Sequence, residues 1–335
     1  MKLATIAILG LILATVMMYP KDSSGGLNPA AKEKDVADSP RTPVHSETAL
    51  DEILSGQSED HSTCWFYTDL PGRPKGVSLV IHGLNLQPDM MQPIIAKLTA
   101  TGIDVLALSL RGHGDNYIHG DDIAVDQARL QAFKNVSYPL WTNEAYLAYL
   151  QIKERSEKIG VPRFLCGFSL GGLIGLDLFA SNADVQFNKV ILLAPAIRLR
   201  TVVYLERLLS PFPGLVIPSM APKAYLANKK GTPIAAYNAL FDGLDRFNKN
   251  ADQKLNVPTL VFIDGQDEFI PLKKLKQLVE EKKWNQWQFY IVKKDATVRE
   301  KAFYHHIVDP SSTGNAVWQG MMTAVTNFLR DQKSQ

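Results

Sequence analysis

Ser169 stands in the stretch Phe164-Leu165-Cys166-Gly167-Phe168-Ser169-Leu170-Gly171-Gly172, which reads as a short apolar strand, a tight turn and the start of an apolar helix. A serine on so sharp a turn has a strained backbone, and neighbours without side chains let strand and helix approach each other. The turn lifts the hydroxyl out of the sheet, and the helix that follows turns its N-terminal dipole towards developing negative charge. That is the situation of a nucleophile. To attack a carbonyl, such a hydroxyl needs a base to take its proton and a carboxylate to fix the tautomer of that base.

Two further stretches carry groups of those kinds. Val261-Phe262-Ile263-Asp264-Gly265-Gln266-Asp267-Glu268-Phe269-Ile270-Pro271 is a buried-strand pattern ending in acidic residues, where Asp264, Asp267 and Glu268 compete. Asp267 is preferred, because Asp-x-x-Ile-Pro places it in the loop with Ile270 anchoring the helix beyond. Phe303-Tyr304-His305-His306-Ile307-Val308 follows the last strand pattern and offers two adjacent imidazoles. On residue chemistry alone, either His305 or His306 can serve as the base.

The elements that must position these groups alternate between strand and helix patterns, the signature of a mainly parallel sheet. Strands are expected at Cys64–Asp69, Gly76–Ile81, Asp104–Leu110, Phe164–Gly167, Lys189–Leu193, Thr259–Ile263 and Gln288–Val292. Several are continuous apolar runs, as strands buried on both faces should be. Helices are expected at Met90–Thr101, Asn143–Lys158, Leu170–Ala180, Leu272–Glu281 and Asn315–Leu329. From Arg198 to about Leu255 the alternation stops. That segment reads as several short amphipathic pieces with prolines, and it carries more apolar residues than simple surface helices need, so it is read as a cap over the site.

The remaining features narrow the function classes. The 335 residues suffice for one large domain with an insertion. A net charge of +2, with basic residues scattered, gives no reason to invoke nucleic acid. The two cysteines, Cys64 and Cys166, belong to strands that the layout keeps apart and are read as free; no Cys/His spacing suggests a metal site. An uncharged, mostly apolar run from Leu3 to Tyr19 ends at Pro20-Lys21 and reads as a targeting segment, either a signal peptide or a membrane anchor. An uncleaved anchor is preferred, since no Ala-x-Ala follows closely, and either form implies an exported, extracytoplasmic chain. Ser, Gly, Pro and charged residues then dominate to about Ser62, a linker composition. The organisation expected is therefore a leader at 1–20, a linker at 21–62, a core at 63–197 and 256–335, and a cap at 198–255.

With these pieces assembled, the chain from about Trp65 to Leu329 resembles the serine-hydrolase branch of the α/β-hydrolase superfamily. Within it the chain is most similar to the monoacylglycerol lipase, lysophospholipase and carboxylesterase group. The matching motifs are His82-Gly83-Leu84, Arg111-Gly112-His113-Gly114, Gly167-Phe168-Ser169-Leu170-Gly171-Gly172, Asp267 with Ile270-Pro271, and Tyr304-His305. The resemblance implies an α/β-hydrolase fold: a mostly parallel central sheet, helices on both faces and a helical cap. It implies the chain order Ser, acid, His, which excludes His82 as the base. The family's Tyr-His-x-Leu/Ile pattern selects His305 over His306. Leu84 and Leu170 would supply the main-chain N–H groups of the oxyanion hole. His113 belongs to a recurrent structural turn and receives no chemical role. Asp115–Leu140, between that turn and the next expected helix, is long for the group.

The implied activity is hydrolysis of a small-molecule, lipid-like acyl ester without a cofactor. A proline-iminopeptidase-like peptidase shares the fold and the triad but would need an acidic site in the cap for a substrate amine, with Glu206, Asp242 and Asp245 as candidates. A non-catalytic binding protein of this fold is disfavoured, because such proteins usually lose a member of the triad.

Overall fold

The computed structural model describes residues 62–118, 123–298 and 303–330. The leader at 1–20 and the linker at 21–62, its last residue excepted, lie outside the described residues. The chain runs through β1 (Thr63–Phe66), β2 (Gly76–Ile81), α1 (Gln92–Ala100), β3 (Ile103–Leu108), α2 (Val125–Lys134), α3 (Tyr138–Ile159), β4 (Arg163–Phe168), α4 (Leu170–Ser181) and β5 (Lys189–Leu193). A 3-10 helix at Thr201–Leu209, the strands β6 (Val216–Ile217) and β7 (Thr232–Pro233), and α5 (Ile234–Asn250) follow. Then come β8 (Thr259–Asp264), α6 (Leu272–Glu281), β9 (Trp287–Val292) and α7 (Asn315–Arg330).

Seven of the strands form one sheet in the order β1-β3-β2-β4-β5-β8-β9, with β1 antiparallel to β3 and every other pair parallel. All seven strands read from the sequence are in it. The reason is visible in β2 and β8, which are buried at every residue and therefore spell largely apolar runs. β1 and β4 are separated by β3 and β2, so Cys64 and Cys166 lie about 14 Å apart at about 4.8 Å per strand. Burial pushes the thiol of Cys166 up to about 12.

α4 is buried along the whole of Leu170–Phe179, an apolar helix packed against β4, α3 and α5. α6 shows the other pattern, burying Leu275, Leu278 and Val279 from one face.

Three helices depart from expectation. α3 begins at Tyr138, five residues before the expected Asn143, because the Ser137 hydroxyl caps it by accepting from Leu140 N at 3.4 Å and Pro139 suits its first turn. α2 occupies part of the long Asp115–Leu140 segment; it buries only Ala128, Leu130 and Phe133, too few to announce a helical stripe. The insertion is not made of short pieces alone, since α5 runs for 17 residues. Its buried stripe includes Ala236, Ala239 and Gly243, small residues that mute the periodicity, and it packs on α3 and α4 as part of the helical layer. Among the described residues no helix is long and apolar enough to cross a membrane.

Candidate active site

The turn from β4 into α4 holds Ser169 at φ 49°, ψ −112°, a backbone conformation that non-glycine residues avoid. The main chain locks it there: Ser169 N donates to Leu193 O at 2.9 Å, and Ser169 O accepts from Ala196 N at 2.9 Å. Gly171 is required by close approach. A Cβ at this position would stand 2.2 Å from Ile81 O, so any larger residue would push α4 away from the end of β2.

Ser169, Asp267 and His305 come together at the C-terminal edge of the sheet from three separate loops. The His305 Nε2 lies 2.9 Å from Ser169 Oγ, and its Nδ1 lies 2.8 Å from Asp267 Oδ2. An ionised carboxylate can only accept, so Nδ1 carries the proton and Nε2 is left to accept from the serine hydroxyl. The other Asp267 oxygen accepts from Phe269 N at 2.8 Å and Ile270 N at 2.7 Å, which fixes the carboxylate plane. All three side chains are withdrawn from water, Ser169 at 8%, His305 at 6% and Asp267 at 0% exposure. The Phe168 and Phe269 rings pack on the imidazole at 5.2 and 5.0 Å.

The competing residues have different surroundings. Asp264 Oδ1 accepts from Gln266 N at 2.8 Å, and burial raises its carboxyl above the usual range. Glu268 accepts from the main-chain N–H groups of Tyr304 and His305 at 2.8 and 2.9 Å. The His306 ring is enclosed by Tyr225, Phe303 and Phe168 at 4.7, 4.9 and 6.0 Å, and its Nδ1 has no hydrogen-bond partner. Burial holds its pKa well below the ordinary value. His82 donates through Nδ1 to Gly83 O at 2.8 Å and accepts at Nε2 from Leu110 N at 3.0 Å. Both of its nitrogens are committed to the main chain.

Leu84 and Leu170 lie on the two loops beside Ser169. Leu170 opens α4, so its N–H is one of the first-turn donors that have no acceptor within the helix. The loop of Leu84 presses against the turn: a Cβ at Gly83 would stand 2.6 Å from the Phe168 ring and 3.3 Å from Ser169 Cβ.

Solved structures share this arrangement of strands and helices. A soluble variant of monoglyceride lipase from Saccharomyces cerevisiae, in complex with a substrate analog, superposes with a TM-score of 0.65 at 14% identity, covering 91% of this chain and 100% of that one. The fold is that of the α/β-hydrolases. The monoacylglycerol lipase of Paleococcus ferrophilus is similar at a TM-score of 0.54 and 20% identity, over 80% of this chain and 97% of that one. A thermostable carboxyl esterase from Bacillus coagulans, in complex with glycerol, gives 0.51 and 13%, over 80% and 94%. A protein-family model described as Hydrolase_4, serine aminopeptidase, S33, matches residues 72–232. No curated protein sequence matches the chain. The resemblance drawn from the motifs therefore holds for the hydrolase fold.

Within this hydrolase fold, several polar residues around the site had no signal in the sequence. Asn85 takes a left-handed conformation at φ 51° directly after Leu84. Its main-chain N–H donates to His113 Nε2 at 2.9 Å, and its side chain bonds to Ser219, Asn228, Gly231 and Thr232 of the insertion. His113 of the Arg-Gly-His-Gly turn thus steadies the loop of Leu84 as a neutral acceptor. Arg200 donates through Nε to Asp267 O at 2.8 Å, and its N–H donates to Phe269 O at 2.8 Å. Asparagine after His-Gly-Leu is compatible with a left-handed turn, but its partners, more than 130 residues on, have no local pattern.

Proposed function

We propose that the chain is a serine hydrolase of carboxylic esters with an apolar acyl group, a carboxylesterase, monoacylglycerol lipase or lysophospholipase. The observation that carries this reading is the unbroken hydrogen-bond relay from Asp267 through His305 to a strained, shielded Ser169. In the proposed reaction Ser169 Oγ attacks the ester carbonyl carbon while its proton passes to His305 Nε2, and Asp267 stabilises the imidazolium. The Leu84 and Leu170 N–H groups receive the oxyanion. Collapse breaks the carbonyl–alkoxy bond, and the leaving alcohol takes the proton from Nε2. Water then gives a proton to Nε2 as it adds to the acyl-enzyme; the acid departs and Ser169 recovers its hydrogen.

The description of the matching family, serine aminopeptidase, raises a second reading, an aminopeptidase. An amine-binding carboxylate should be ionised and unoccupied. Burial instead raises the Glu206 carboxyl, Asp245 is paired with Arg207 at 3.0 Å, and Asp242 is exposed. Two of the three candidates, Glu206 and Asp245, thus run against the amine-site requirement, which supports the ester reading.

The insertion also supports a lipid-like substrate. Val202, Leu205, Leu208, Phe212, Leu215 and Met220 are all exposed. An exported chain held by the apolar run at 3–19, on a linker of roughly 40 residues with a reach of about 35 Å, could present this face to lipid headgroups. The deciding experiment combines fluorophosphonate labelling with rates on p-nitrophenyl esters, monoacylglycerol, lysophospholipid and aminoacyl amides. Ser169→Ala should abolish labelling and lower kcat by about 10⁴–10⁶. The enzyme should prefer medium over short acyl chains, since each buried CH₂ contributes about 0.8 kcal/mol. Activity confined to aminoacyl amides would overturn the ester reading, and a mature chain beginning beyond Pro20 would remove the anchor.

A further inference from the structure

His305 lies in a segment, Phe303–Val308, that belongs to neither a strand nor a helix. No ladder therefore holds the main chain that carries the imidazole, yet His305, His306, Ile307 and Val308 are buried. Buried main-chain groups need partners, and here side chains of opposite charge supply them. The Glu268 carboxylate spreads its two oxygens over consecutive donors: Oε1 accepts from Tyr304 N at 2.8 Å and Oε2 from His305 N at 2.9 Å. The Lys294 ammonium works on the carbonyl side, donating to Phe303 O at 2.6 Å and also to His306 O. Four successive residues are thus gripped, the middle two by an anion on their N–H groups and the outer two by a cation on their C=O groups. Charge-assisted bonds of this kind are shorter and stronger than neutral ones.

The two clamping residues come from different elements. Glu268 directly follows Asp267 in the loop after β8, so the loop that fixes the imidazole through Nδ1 also fixes its main chain. Lys294 comes just after β9. Without the clamp, the bond from Asp267 can turn the ring but cannot set how far it stands from Ser169.

We propose that Glu268 and Lys294 are positioning residues for His305, an anion–cation clamp on the main chain that sets the distance from Nε2 to Ser169 Oγ. The proposal rests on the triad reading above, with His305 as the base. Displacement of a reacting group by about 1 Å can cost about 10²-fold in rate, so loss of either arm should register chiefly in kcat.

Glu268→Gln keeps the shape of the side chain but replaces one acceptor oxygen with a donor that faces an N–H. Lys294→Met keeps the aliphatic stem and removes all donors. In the full chain, each should lower kcat for a p-nitrophenyl ester by about 10- to 100-fold with KM within about twofold. Fluorophosphonate should inactivate both variants correspondingly more slowly. Each substitution is also made in a His305→Ala background, where residual labelling of Ser169 no longer depends on the imidazole. There it should change the labelling rate by less than about twofold.

Wild-type kcat in both single variants would overturn the clamp while leaving the triad intact, provided His305→Ala is inactive. An equal loss in the presence and absence of His305 would also overturn it, since the residues would then act on the fold at large. Full activity in His305→Ala would instead sink the triad reading itself. Should one single variant fail to give a cooperative thermal transition, the other decides by the same readouts.

Discussion

Asn85 and Asn228 are 143 residues apart in the chain and bond to each other twice, Asn228 N donating to Asn85 Oδ1 at 2.8 Å and Asn85 Nδ2 donating to Asn228 O at 3.2 Å. Through this pair the loop after β2 is fastened to the insertion. Asn85→Ala would strand the buried Asn228 N–H and its other partners in the insertion and place an alanine at φ 51°, for an expected loss of about 2–4 kcal/mol. Asn85→Gly loses the same bonds without the left-handed penalty and should be about 1 kcal/mol less damaging than alanine. Chemical unfolding of the two variants measures the difference, and equal stabilities would contradict the strain at this position.

His305 and His306 should respond in opposite ways to the same replacement. His305→Phe removes the group bonded to Ser169 and should reduce ester hydrolysis about 10⁴-fold or more. His306→Phe puts a ring among Tyr225, Phe303 and Phe168 and eliminates a buried nitrogen without a partner. It should keep kcat within tenfold and stability within about 1.5 kcal/mol. If the two activities were reversed, the base would be His306.

Acid should destabilise the chain through imidazoles that it keeps neutral. Burial lowers His82 to about 4 and holds His113 and His306 well below 6.5. Between about pH 6.5 and 4 the unfolded chain therefore binds more protons at these positions than the folded one, and stability falls as pH falls through that window. For His82 the full effect is about 3 kcal/mol, and above about pH 6.5 its contribution no longer changes. Denaturant unfolding at pH 7 and pH 4.5 checks this against His82→Gln, whose loss on acidification should be smaller. A loss as steep as that of the parent would show that His82 is not held neutral.

Much of the frame was legible in the chain itself, because the signals are local. Strands buried on both faces must be largely apolar, so β2 and β8 announced themselves as Gly76–Ile81 and Thr259–Ile263. A serine with a glycine two residues to either side, between an apolar strand and an apolar helix, has few uses other than the turn where Ser169 is found. The helices that escaped notice lacked this kind of signal: α2 buries few apolar residues, and α5 lines its stripe with alanine and glycine.

The tertiary structure decided what local pattern cannot. Asp264, Asp267 and Glu268 are chemically interchangeable in a short acidic loop; the fold aims one inward at its own turn, one at an imidazole and one at the neighbouring main chain. His305 and His306 differ by one step in a segment without periodicity, and only the assembled loops set the first between Asp267 and Ser169 and leave the second among aromatic rings. The partners of Asn85 likewise lie in a distant insertion. Such choices depend on distances across loops that only the assembled sheet brings together, whereas strand burial and the glycine turn depend on neighbours along the chain.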